Sequence, residues 1–209
     1  MYLPSHFEET RDEVMHTLVR RHPLGLLITL EDGEPCADSI PFLLDAARGA
    51  HGTLVAHVAR ANPLWRRANG QRVLAVFQGP QAYVSPSAYP SKAEHGKVVP
   101  TWNYVMVQAR GTLRAIENAR TLHGIVSRRT DTHEAGRAAP WAVSDAPADY
   151  VEKMLGAIVG SEIPVEALAG KWKVSQNRSA ADRAGVARQL AAEGGDAAAM
   201  ARQVETPGA

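Results

Sequence analysis

The sequence predicts a mainly β protein with added helices (β+α), organised around an antiparallel barrel. Five or six short apolar runs follow one another through hairpin-type links, and no crossover helices alternate with them as a parallel sheet would require. Past residue 117 the pattern turns helical, interrupted by one more strand-like run. A length of 209 residues is enough to bury one sizeable core.

Each element has its own justification. Thr10 and Glu13 stand at capping-box spacing before the apolar stripe Val14, Met15, Leu18 and Val19, which predicts a short helix ended by His22-Pro23. Leu24 to Leu30 reads as a buried strand, with Glu31-Asp32-Gly33 as a hairpin turn. Cys36 to Leu44 is a second strand, and Pro41 inside it marks an edge or a bulge because proline donates no ladder hydrogen bond. Gly52 to Val58 alternates as a third strand and leads to a short helix carrying Trp65. Val73 to Phe77 and Ala82 to Ser85 form one strand broken at Gly79-Pro80, and Thr101 to Ile116 a long strand bulged near Gly111. Asn118 to Arg129 and Asp149 to Val159 are helices, Pro164 to Val174 a returning strand. Ser179 and Asp182 cap a helix through Leu190. Gly194-Gly195 break it, and a last alanine-rich helix leads to a tail, residues 206–209, expected to fray. One domain thus covers residues 1–193, with a C-terminal helix and tail over 194–209.

Composition excludes several classes. The formal net charge of +1 creates no field that demands nucleic acid. Cys36 is the sole cysteine, so neither a disulfide framework nor a cysteine-built zinc site can form within one chain. The opening residues are acidic without an apolar stretch, and no apolar run approaches the roughly 20 residues of a membrane span, which points to a cytoplasmic protein. His133-Glu134 lacks the second histidine of a helical zinc motif, and no nucleophile elbow, dinucleotide fingerprint or P-loop is present.

Binding chemistry concentrates in four places. Phe77 to Tyr104 carries three Tyr, Trp102, four Pro and three Lys or His without helical periodicity. Aromatic faces beside cations on a proline-stiffened backbone suit a flat anionic ligand, with Lys97, Thr101, Trp102 and Asn103 as candidate contacts; a core or interface tryptophan is the competing reading. His57 to Trp65 places Arg60 and Asn62 at a strand-to-helix junction, where free N–H groups and a guanidinium suit phosphate. There Asn62 serves equally well as a helix cap, and Arg60 as a solvated charge. Ser39, Ile40 and Pro41 lie where a bent strand could approach a ring edge. Lys171 to Arg178 ends a strand just before a capped helix; a capping loop is the competing reading, but Ser175-Gln176-Asn177-Arg178 offers more donor capacity than a cap needs.

Together MYLPSHF, HVARANPLW, FQGPQAYVSPSAYPSK, KVVPTWNY and KWKVSQNR resemble the PaiB family of FMN-binding negative transcriptional regulators, from residue 1 to about Val186. The resemblance implies a flavin-reductase-like split β-barrel, FMN as cofactor and a homodimer with flavin at the subunit interface. It implies that Arg60 and Asn62 face the FMN phosphate and that Ser39, Ile40 and Pro41 line the isoalloxazine edge. Trp102, Asn103, Gln176 and Arg178 would come from the partner subunit. A histidine is expected near position 39 in many relatives, and Ser39 departs from that pattern. The resemblance leaves three activities in play: regulation, an FMN-dependent oxidoreductase acting on a small molecule, and a heme-binding role with His57 or His95 as ligand. DNA binding has weak support, since Ala181 to Val204 imitates a helix-turn-helix only crudely.

Overall fold

The structure, a computed structural model, describes residues 1–208; Ala209, the last residue of the tail expected to fray, lies outside the described residues. Nine strands and seven α-helices follow in the order β1 (Glu8–Glu9), α1 (Asp12–Arg21), β2 (Leu24–Glu31), β3 (Glu34–Pro41), β4 (Leu43–Asp45), β5 (Thr53–Ala59), α2 (Leu64–Arg67) and β6 (Arg72–Val84). Then come α3 (Ser91–His95), β7 (Thr101–Thr112), β8 (Arg114–Ile116), α4 (Ala119–Glu134), α5 (Ala148–Gly156), β9 (Ile158–Lys173), α6 (Ala180–Glu193) and α7 (Gly195–Glu205). The chain divides into two compact units: residues 1–22, 77–108 and 169–209, and residues 23–76 and 109–168. Among the described residues no helix is long and apolar enough to cross a membrane.

In the unit of residues 23–76 and 109–168, β3, β2 and the start of β6 pair in that order, as do β4, β5 and the start of β9, with β8 also on β9. The ladders β2–β3, β2–β6, β4–β5, β5–β9 and β8–β9 are all antiparallel. The run expected as one strand from Cys36 to Leu44 is two strands, because Phe42 leaves the ladder: its N–H donates to the Pro23 carbonyl at 2.8 Å and its ring is buried. β3 then pairs with β2, and β4 with β5. Likewise β7 and β8 are separated at buried Leu113, whose N–H donates to Gln71 O at 3.0 Å. β9 begins six residues earlier than Pro164 and α5 stops at Gly156, because residues 158–164 pair with β5 and put Val159, Ser161 and Ile163 inside. The period of two overrides a short amphipathic pattern here. α4 runs to Glu134 rather than Arg129, with the Asn118 side chain accepting from Thr121 N at 3.0 Å as its cap.

In the unit of residues 1–22, 77–108 and 169–209, α1 buries Met15, Leu18 and Val19 as the stripe predicts. Its start is not a capping box. Arg11 is the cap residue without a side-chain cap bond, and buried Glu9 accepts from Arg11 N at 2.9 Å and from its guanidinium at 2.6 and 2.8 Å. β6 continues through Gly79-Pro80, because proline's fixed φ fits extended backbone and only its donor is lost. The segment read as lacking helix contains a 3₁₀ turn at Pro86–Ala88 and the short α3. α7 is docked, with Met200, Ala201 and Val204 buried and Trp172 Nε1 donating to Gln203 at 3.0 Å. Residues 206–208 are held rather than frayed: Thr206 N donates to Arg202 O at 2.9 Å and Gly208 N to Gln203 Oε1 at 3.1 Å.

Candidate functional site

The predicted site residues fall into two sets. Ser39, Ile40, Pro41, Arg60 and Asn62 belong to the unit of residues 23–76 and 109–168, and Lys97, Thr101, Trp102, Asn103, Gln176 and Arg178 to the other. In the first set Ser39 is exposed on β3 and directly opposite Leu26, so it shares a face with Leu24, Leu26 and Leu30, all exposed. Ile40 points the other way into the core. Asn62 Oδ1 accepts from Leu64 N at 2.9 Å, which is the capping role. Arg60 donates from Nε to Gly156 O (2.8 Å), from Nη1 to Glu117 (2.8 Å) and from Nη2 to Ile158 O (3.1 Å). Three of its five N–H donors are therefore engaged, and the other two remain for a ligand.

The second set is organised by β7, β9 and the loop after it. On β7 alternate residues diverge: Asn103 is buried, while Trp102 is 49 % exposed with Nε1 donating to Gln81 at 3.0 Å. The Trp102 and Tyr83 rings lie 6.1 Å apart at 59° and form an open aromatic surface. Asn103 Nδ2 donates to Ser175 Oγ at 2.9 Å, and Ser175 holds a left-handed φ of 66°. Gln176 braces the same loop, accepting from Val174 N at 2.8 Å and donating to Trp172 O. Asn103 and Gln176 thus shape the loop with their amides. Lys97 is exposed, its N–H donating to His95 Nδ1 at 3.0 Å.

Three cations gather here without a carboxylate at ion-pair distance among the described residues. Lys171 Nζ donates to Tyr2 O at 2.9 Å and lies 5.4 Å from the Tyr104 ring centroid. Lys173 Nζ donates to Thr101 Oγ1 and Trp102 O, and Arg178 stacks 4.9 Å over Tyr89. Burial, then the charges of Lys171 and Arg178, push the Lys173 pKa down. An anion relieves that repulsion, so the donor set suits a flat anionic ligand. Tyr83 and Lys173, which join this cluster, are not among the contacts expected from the sequence. The Lys171-x-Lys173 spacing, which puts two ammonium groups on one strand face, was the available signal.

Arg178 is placed by α6. Asp182 accepts from Ser91 N at 3.2 Å and Ser91 Oγ at 2.9 Å, and Asp182 N donates to the Ser179 cap at 3.1 Å. Burial raises the Asp182 pKa, but the Ser91 bonds, Ser179 and the Arg178 charge outweigh it and hold the carboxyl below its ordinary value. A depressed carboxylate contributes stability that is present above its unfolded pKa of about 4 and lost as pH falls through the folded value. We expect Asp182→Asn to flatten that acid limb in thermal melts between pH 5 and about 2 while lowering stability at neutral pH by about 1–3 kcal/mol.

The antiparallel sheet with appended helices is a split β-barrel of β+α class. The FAD and heme binding protein from Mycobacterium smegmatis superposes with a TM-score of 0.60 at 19 % identity, over 79 % of this chain and 73 % of that one. A family model described as "Putative FMN-binding domain" matches residues 1–167. An uncharacterized protein of Emericella nidulans is 34 % identical over 89 % of this chain and 88 % of its own. Protease synthase and sporulation protein PAI 2 of Bacillus subtilis is 32 % identical over 91 % of this chain and 89 % of its own. The chain belongs to this PaiB-type family of FMN-binding domains, and its cofactor is FMN.

Proposed function

We propose that the chain works as a homodimer holding FMN at the subunit interface and has a regulatory role, as the name of the Bacillus relative suggests. The observation that carries the flavin reading is the exposed Trp102–Tyr83 surface beside Lys171, Lys173 and Arg178, none of them ion-paired. In this reading Trp102, Lys97, Lys173 and Arg178 of one protomer meet the flavin, with Asn103, Thr101 and Gln176 positioning them. Arg60, Asn62 and Ser39 to Pro41 of the partner supply the phosphate and ring-edge contacts. Bound FMN supplies one- or two-electron chemistry, which the protein orients and shields. The dimer reading is supported by the apolar face of β2, where Leu24, Leu26 and Leu30 are exposed beside Pro35, Ala37 and Pro41. Covering such leucines contributes about 1.5–3 kcal/mol for each side chain fully buried.

Flavin ranks above heme for a geometric reason. His57 lines a cavity of about 270 Å³, below the roughly 300–1,000 Å³ of pockets for molecules far smaller than a tetrapyrrole. With a formal net charge of +1, the regulation proposed is indirect rather than through a DNA-binding face. The test combines absorbance after FMN loading with sedimentation equilibrium. One FMN retained per chain, in a particle of two chains, is the expected result. Leu26→Asp should give monomers that release FMN. A flavin-free monomer in the native protein, or a Soret band on hemin addition with no flavin uptake, rejects the proposal. Bleaching of bound FMN by NADH or NADPH would move the oxidoreductase reading ahead.

A further inference from the structure

The cavity at His57 lies between β5 and α4 and is lined by none of the residues assigned to flavin. Its helical wall is one face of α4: Val126, Arg129, Thr130 and His133 recur at three- and four-residue spacing. His57 Nδ1 is buried there with no hydrogen-bond partner. Arg129 is half-buried, and no ion pair or side-chain hydrogen bond reaches it among the described residues. Burial lowers the pKa of both, and the Arg129 charge lowers that of His57 further. Glu134, the one carboxylate in the lining, does not neutralise them. Its Oε2 accepts from Trp141 N at 3.1 Å and its Oε1 from Arg137 Nε at 3.0 Å.

A guanidinium withdrawn from water without a counter-charge is destabilising, as is a buried ring nitrogen without a partner. Both are relieved by the same group, an oxyanion that accepts from the Arg129 fork, the Thr130 hydroxyl and an imidazole N–H. We propose that this cavity is a binding site for a small molecule carrying a phosphate or carboxylate group, separate from the flavin residues. The volume of about 270 Å³ exceeds what a bare oxyanion fills. Val126 and the Trp141 ring are part of the lining, so the ligand carries a small flat or apolar body as well.

The test uses the full chain with FMN present, titrated at constant ionic strength with inorganic phosphate and, separately, with benzoate, and read by thermal melting. A saturable rise in Tm with either probe is expected, and the probe that acts identifies the source of the oxyanion. Arg129→Gln and His57→Asn abolish the rise, while Lys153→Gln, an exposed cation on α5, retains it. Arg129→Gln also raises the Tm in the absence of either probe, because an uncompensated charge is gone. No saturable response up to tens of millimolar, or one unchanged in both variants, overturns the proposal. So does a fall in the Arg129→Gln melting point without ligand, or a probe that displaces FMN in proportion to its own binding. Using two variants keeps the test decisive if one fails to fold.

Discussion

Trp102→Ala is expected to keep its fold and to bind FMN roughly 10- to 100-fold more weakly. Stacking of a flat heteroaromatic ring on an aromatic side chain is worth about 1–3 kcal/mol in nucleobase recognition, and about 1.4 kcal/mol is tenfold in affinity. The fold tolerates the change because the indole is half exposed and its N–H donates to the Gln81 side chain. Titration of FMN followed by flavin fluorescence, with circular dichroism as the check on folding, measures it. Riboflavin, which lacks the phosphate, separates the two halves of the site. Loss of Trp102 should weaken both ligands alike, whereas Lys173→Met with Arg178→Met should weaken FMN selectively. A folded Trp102→Ala protein with native affinity would move the flavin away from β7.

Gly185→Ala carries the largest expected effect on stability, and its sign decides between local and tertiary reasoning. Helix propensity favours alanine over glycine in a helix interior by about 1 kcal/mol. In α6, however, a Cβ on residue 185 would sit 2.1 Å from the Ala88 carbonyl oxygen and 3.0 Å from Pro90 Cδ. The obstructing atom is backbone, so the helix must separate from the Pro86–Ala88 turn and strain the Ser91–Asp182 bonds. We expect a loss of about 3 kcal/mol, which lowers Tm by about 6–12 °C for a domain of this size. Gly124→Ala in α4 is the matched control, since a Cβ there meets nothing within 4 Å. It should raise Tm by a few degrees. If both substitutions stabilise, α6 does not approach the turn this closely.

The part of the site that was legible in the sequence is the part built from neighbours in the chain. Trp102 with Thr101 and Asn103, and Lys171 to Arg178, are contiguous runs whose aromatic and cationic character needs no fold to be seen. Their roles were less legible. Asn103 and Gln176 look like ligand donors in a motif, yet their amides close on Ser175, Val174 and Trp172. Arg60 looks like a free phosphate fork until Gly156, Ile158 and Glu117 take three of its donors. His57, Arg129 and His133 could not be grouped in advance, because only the packing of α4 on β5 puts them round one cavity.

By itself the sequence determined the antiparallel sheet with its helical additions, the apolar stripe of α1, the cap at Ser179, and the family. These rest on periodicity and on a side chain that bonds to backbone a few residues away, so the chemistry is local. Tertiary structure decided where strands end and which groups are spent. Phe42 leaves its ladder for the core, β9 starts early because β5 offers it a partner, and β6 carries a proline without breaking. Those outcomes depend on what lies across the sheet. A residue's donors and its conformational limits are set by the atoms that come to face it, and these are distant in the chain.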